Sequence, residues 1–160
     1  MAKDLVNGLN EGELRDLFIL GDEPFAKPIA RIIAKQRKML PITTCRQLAG
    51  LISRVKGKLK SSIHPATQVF MTLRMAVNFE RESIQRVISS IPQLLPLGGV
   101  AGIISFPSTE AKLVKEELQK LEDQKLVSAI NKKPIEPSIE ELKISNRTRS
   151  AKLRLVKKHL

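Results

Sequence analysis

The sequence has no tryptophan or tyrosine, one cysteine, two histidines and five phenylalanines in 160 residues. Each shortage removes a class of protein. A single thiol, Cys45, can make neither an internal disulfide nor a cysteine-based metal site, which fits a reducing compartment. His64 and His159 are far apart and show no HxxxH or HxxE spacing, so no metal site is expected. The lack of aromatics argues against a stacking platform for single-stranded RNA. Long apolar runs are missing too. The most apolar stretch, Leu94 to Phe106, is broken by Pro96 and Gly98-Gly99 and is too short for a membrane helix. The N-terminus, MAKDLVNGLNEGEL, carries acids and no apolar centre, unlike a secretory signal. No GxxxxGK[ST] occurs, which excludes a P-loop. Acidic residues are also scarce: sixteen Asp and Glu face twenty-eight Lys and Arg, for a net charge of +12. That excess points to a polyanionic partner, nucleic acid before an anionic membrane.

What is present is a chain able to fold. It is 42% apolar and 28% charged, outside the disordered and low-complexity classes. The first sixty residues read as helices. Asn10 with Glu13 forms a capping box ahead of Leu14, Leu17 and Phe18, and Gly21 ends the helix. A second helix is expected from near Asp22, with Pro28 kinking it or delaying its start. Thr44 with Gln47 caps a third, carrying Leu48, Leu51, Ile52 and Val55. Arg54 to Lys60 reads as an exposed basic loop around Gly57.

From Pro65 the pattern changes. An apolar stripe from Val69 to Val77 continues through Ile84, Val87, Ile88 and Ile91. Val100 to Phe106 is apolar on both faces, which suits a central parallel strand buried under helices. Leu113, Val114, Leu118 and Leu121 mark another helix, and Leu126 to Ile130 a short strand. Ser138 with Glu141 caps a brief helix, and alternation from Ala151 to Leu155 signals a half-buried strand. The expectation is an α/β layer placed after a helical module.

Catalytic patterns are sparse. The acid pairs Glu116-Glu117 and Glu140-Glu141 read as solvated helix faces. The GGxxG of Gly98, Gly99 and Gly102 precedes a strand, so it cannot set a pyrophosphate on a helix N-terminus. Ser105 to Glu110 follows the most apolar strand, where ligands of open α/β sheets bind, although an ordinary turn capped by Ser108 fits as well.

Six ordered segments carry a resemblance. His64-Pro-Ala-Thr67 with Phe70, Leu73-Arg74 and Val77-Asn78 resembles the HPATRxFQALRIxVNxEL segment of the MraW/RsmH methyltransferase family. Leu97-Gly-Gly99 with Ile103 to Phe106 is similar to its PGGRLxVISFHSLEDRIVK. Lys132 to Ser138 resembles its KKPITPSEEE, and Asn146 to Arg154 its NPRARSAKLR. Upstream, Gly21-Asp-Glu, Phe25-Ala26 and Ile29-Ala-Arg31 resemble GEERFARxIAR, and Pro41 to Thr44 resembles PITTT.

The resemblance implies the last strands of a partial Rossmann-like, class I sheet, with a helical insert before it. Residues 1–62 would be the insert, a substrate-recognition-like module. Residues 63–160 would be the C-terminal part of the methyltransferase domain. The implied activity is S-adenosylmethionine-dependent methylation of a cytosine N4 in small-subunit ribosomal RNA, by a cytoplasmic enzyme. The family's cofactor-binding half lies upstream of every matched motif, so no cofactor-binding residue is expected here, and the chain reads as a shortened relative. Arg74, Asn78, Ser105, Phe106, Ser108 and Glu110 match the family and are the implied substrate-side residues. Phosphate contacts are expected from the basic tail, above all Arg147, Arg149, Lys152 and Arg154. Departures fall near the same place: Pro107, Thr109 and Ala111 interrupt the FHSLED pattern, Gln68 replaces an Arg, and Phe79 replaces an Asp. Two partners follow from this reading, ribosomal RNA or the small subunit itself, and a separate N-terminal fragment or a second copy along the free edge of the Val100 strand. The alternative is a non-catalytic RNA- or ribosome-binding remnant of the family.

Overall fold

A computed structural model describes residues 1–57, 63–106 and 108–159, in two compact units, 1–80 and 81–160. The expected basic loop therefore falls partly, at Lys58 to Lys60, outside the described residues.

The first unit is helical: α1 (Ala2–Gly8), α2 (Glu11–Leu20), α3 (Ala26–Met39), α4 (Cys45–Lys56) and α5 (Thr67–Val77). The two boxes form as their spacing predicts. Asn10 Oδ1 accepts the Glu13 N–H at 3.0 Å, and Thr44 Oγ1 accepts that of Gln47 at 3.2 Å. Pro28 delays α3 without kinking it. It lies in the first turn, where its missing N–H has no helical acceptor to lose. Leu14, Phe18, Ile29, Ile33 and Ile52 are wholly buried together, and Ala66, Val69 and Leu73 of the next segment join them. This shared core carries the first unit through α5, past the division expected after residue 62.

Three features of this unit escaped sequence reading. Lys56, read as part of an exposed basic loop, ends α4 and is buried. Its Nζ meets Glu23 Oε2 at 2.5 Å and the Pro65 carbonyl at 2.8 Å. The spacing of Leu51, Ile52 and Val55 ran one turn further than Gly57 suggested, which draws Lys56 inwards. Gly21 is held by close approach rather than by torsion. A Cβ there would lie 1.8 Å from Thr72 Oγ1, and the Gly21 carbonyl accepts the Gln68 side-chain amide. Asn7 bridges to both backbone groups of Ile42, at 2.8 and 3.0 Å, and so fastens the Pro41–Thr44 segment to α1.

The second unit contains α6 (Glu80–Leu94, which begins on the last residue of the first unit), β1 (Val100–Ser105), α7 (Ser108–Asp123), β2 (Val127–Ala129), α8 (Ile139–Ile144), a 3-10 turn (Asn146–Ser150) and β3 (Lys152–Lys158). Sheet order is β1-β3-β2, with both pairs antiparallel. The α/β character holds, but β1 is not the central parallel strand that its composition suggested. It is an edge strand, paired with β3 from Val100↔Lys157 to Ser105↔Lys152.

Within this unit, the described helices cover one face of the sheet. Ala101, Ile103 and Val156 pack with Ile88, Ile91, Val114, Leu118, Leu121 and Val127. On the opposite face Val100 is 53% and Ile104 58% exposed, and register places Leu153 and Leu155 beside them. Apolar residues on both faces signalled burial on both sides, yet the described residues supply one layer of helices. The alternation in β3 is likewise reversed: Val156 enters the core, and Lys152 and Arg154 share its face.

Candidate functional site

The implied substrate-side residues fall into two groups, one in each unit. In the first unit, Arg74 and Asn78 lie at the C-terminal end of α5. They are drawn together by Glu80, which begins α6: Arg74 Nη2 donates to Oε2 at 2.9 Å and Asn78 Nδ2 to Oε1 at 3.1 Å. Burial raises the pKa of the Glu80 carboxyl, but the two hydrogen bonds and the Arg74 charge outweigh it, and the group is held below the ordinary glutamate value of 4.5. Phe79 between them sits at φ +51° with its ring exposed. That left-handed conformation suits Asp or Asn better than a bulky side chain, which accounts physically for the acid in the family pattern. Glu80 was missed by the reading of residue types. Its signal was the glutamate that closes the VNxEL pattern.

In the second unit, Ser105, Phe106, Ser108 and Glu110 run from the end of β1 into α7. Ser105 is fully buried, and its Oγ donates to the Lys152 carbonyl at 3.4 Å, so its hydroxyl ties β1 to β3. Phe106 is 46% exposed, and Glu110 is half-buried. Ser108 opens α7, so the helix starts on it instead of one residue later, as a cap there would have required. Pro107 lies outside the described residues.

Antiparallel register sets the basic residues near this same sheet end. Ser105 pairs with Lys152, and the turn that carries Arg147 and Arg149 immediately precedes β3. Both arginines are exposed. Lys152 Nζ is 4.0 Å from Glu136 Oε1, a weak surface pairing. Arg154 differs. It shares the helix-covered face of β3, and its Nε is buried without a hydrogen-bond partner. Of the four predicted phosphate residues, three are gathered at the sheet end and the fourth lies one pleat further along.

Strands β1, β2 and β3 end on Ser105, Ala129 and Lys158, none of them an acid that could take a ribose hydroxyl. Gly98 and Gly99 precede β1, and a Cβ on Gly98 would meet only Lys157 Cε, at 3.7 Å. No group of three or more His, Cys, Asp or Glu is arranged to hold a metal among the described residues. No helix among them is long and apolar enough to cross a membrane.

Comparison with known proteins sets the class first. The chain is similar to methyltransferases. It is 45% identical over 158 residues to the ribosomal RNA small subunit methyltransferase H of Cyanothece sp. (strain PCC 7425), matching 98% of this chain and 52% of that protein. With the enzyme of the same name from Coprothermobacter proteolyticus it is 39% identical over 158 residues, again matching 98% and 52%. A model of the MraW methylase family matches residues 1–159, and the chain belongs to that family. It spans about half the length of the relatives it matches.

Proposed function

We propose that these residues form the RNA-facing rear half of an S-adenosylmethionine-dependent methyltransferase acting on a cytosine N4 of small-subunit ribosomal RNA in the cytoplasm. The helical unit acts as the substrate-recognition insert. Arg74 and Asn78 are the substrate-side residues of the first unit and Phe106, Ser108 and Glu110 those of the second, with Ser105 anchoring the strand, while Arg147, Arg149, Lys152 and Arg154 hold backbone phosphates. S-adenosylmethionine is held by the family's front half, since no described strand end offers the groups it needs. The observation that carries this reading is the unfinished sheet: β1 has no strand on its outer edge among the described residues, and Val100 and Ile104 lie bare on one face. An apolar edge of this kind is completed by further chain.

The departure at Phe106 to Ala111 from the family's FHSLED favours one second reading, a non-catalytic RNA- or ribosome-binding module. One experiment separates them. The chain is mixed with a separately produced front half of a family member, and methyl transfer from labelled S-adenosylmethionine into small-subunit RNA is followed beside calorimetric titration of the donor. The expected result is no donor binding by the 160 residues alone, and transfer with both halves present. Tight donor binding by the chain alone overturns the division of labour. RNA binding without transfer selects the second reading.

A further inference from the structure

The positive charge of the second unit is not spread evenly. From Arg81 to Asn131 there are six basic and six acidic residues, whereas from Lys132 to Leu160 there are nine basic and three acidic. A cavity of about 340 Å³ opens where these two stretches meet, between α7 and the β2–β3 side of the sheet. Lys115 and Gln119 of α7 form one wall, and Asn131, Lys132 and Arg154 form the other. Its one lining acid is Glu122, whose Oε1 already accepts the Ala129 N–H at 2.5 Å. Asn131 is also committed, since its Oδ1 accepts the Leu155 N–H at 2.7 Å and its Nδ2 donates to the Lys133 carbonyl at 2.6 Å. The lining thus sets three cationic side chains, Lys115, Lys132 and Arg154, against one carboxylate, and its net charge is positive.

Arg154 supplies the decisive feature. A buried donor without an acceptor costs free energy, and in a native fold such a group calls for an explanation. Its Nε is that group, and the Arg154 side chain lines the cavity with Lys115 and Lys132, against the one carboxylate of Glu122. No aromatic side chain lines the cavity, so a base would find no ring to stack on. A single phosphate fits this chemistry, with the guanidinium as the directional donor and the lysines as flanking charges.

We propose that this cavity seats one phosphodiester of the RNA, with Arg154 at its floor and Lys115 and Lys132 at its mouth. The assignment rests on the RNA-binding reading above and extends it along α7, from Ser108 and Glu110 in its first turn to Lys115. It also gives Arg154 a role distinct from Arg147 and Arg149: these screen phosphates from the surface, and Arg154 fixes the register of one.

The test uses the full chain and a short fluorescein-labelled single-stranded RNA, titrated at several salt concentrations. Lys115→Gln and Lys132→Gln, both on exposed side chains, should each weaken binding about fivefold and lower the salt slope by about 0.7, one phosphate's share on a single strand. Lys125→Gln, on the turn after α7, serves as the control and leaves both unchanged. Arg154→Gln should lose at least as much as either lysine variant, and in the unaltered chain the Arg154 Nε–H resonance should move on adding RNA. If Lys115→Gln and Lys132→Gln bind RNA as the parent does, the cavity is no phosphate seat. If the parent binds no RNA, the broader reading fails, and that failure is visible before any variant is made. Inorganic pyrophosphate binding that is sensitive to the same substitutions, with RNA binding insensitive, would transfer the cavity to a free anion and overturn the RNA assignment.

Discussion

The two units bury their apolar residues in opposite styles. In the first, Leu14, Phe18, Ile29, Ile33 and Ile52 are enclosed on all sides, and even a lysine and a glutamate are sealed inside as a pair. In the second, helices cover one face of a three-stranded sheet, while Val100 and Ile104 on the other face stay more than half exposed. The motifs that resemble the family divide the same way. Gly21-Asp-Glu, Pro41 to Thr44 and His64 to Thr67 all serve the first unit's architecture: a close approach to Thr72, a backbone bridge to Asn7, and a carbonyl for Lys56. Those of the second unit place charge and apolar surface outward. A core enclosed on all sides and a sheet with one apolar face exposed have been joined in one chain.

The largest effect expected from this contrast is at Lys56. Lys56→Met leaves the Glu23 carboxylate buried with no counter-charge, which costs about 3–5 kcal/mol and shows as a lower denaturation midpoint. Adding Glu23→Leu should recover most of it, because removing both charges removes the desolvation problem as well. A Lys56→Met chain as stable as its parent would mean that the pair is not sealed, and the contrast with the second unit would weaken.

A smaller effect is expected at Ile104. Ile104→Thr removes apolar surface from a position that is 58% exposed, so the midpoint should fall by no more than about 0.5 kcal/mol. The same change should weaken capture of the family's front half, measured by co-purification of the two pieces. A loss of stability comparable to that at Lys56 would show the bare face to be covered, and the sheet complete as it stands.

Much of this was legible before any coordinates. The capping boxes at Asn10, Thr44 and Ser138 are local signals, complete within four residues, and all three form. The strand–helix–strand order of the second half was equally readable from periodicity. Strand pairing was not, because neither the apolar run of β1 nor the alternation of β3 says which face meets a helix or which edge meets a neighbour. Nor was the burial of Lys56. A basic residue beside Gly57 looks solvated unless one knows that Glu23 waits across the fold. In the candidate site, residue types identified Arg74 and Asn78, but the carboxylate that organises them came from the next helix, and Arg154 looked like one more surface charge. Long-range partners are what a single sequence conceals.

The smallest effect sharpens the comparison at the first unit's own edge, where sealing gives way to exposure. The hydrogen bonds from Arg74 and Asn78 hold the folded Glu80 carboxyl below its ordinary value of 4.5. Unfolding releases it to that ordinary value, so the unfolded chain binds the proton more readily. The stabilisation is therefore fully present above the unfolded value and is lost as pH falls through the folded one. Its size is at the low end for a solvent-screened pair, about 0.2 kcal/mol. Glu80→Gln should remove this component of the pH dependence below neutrality, read as the difference between parent and variant midpoints across an acid titration. A difference that persists undiminished at the acid end would assign the effect to packing at the α5–α6 junction and leave Arg74 free to turn towards a phosphate instead.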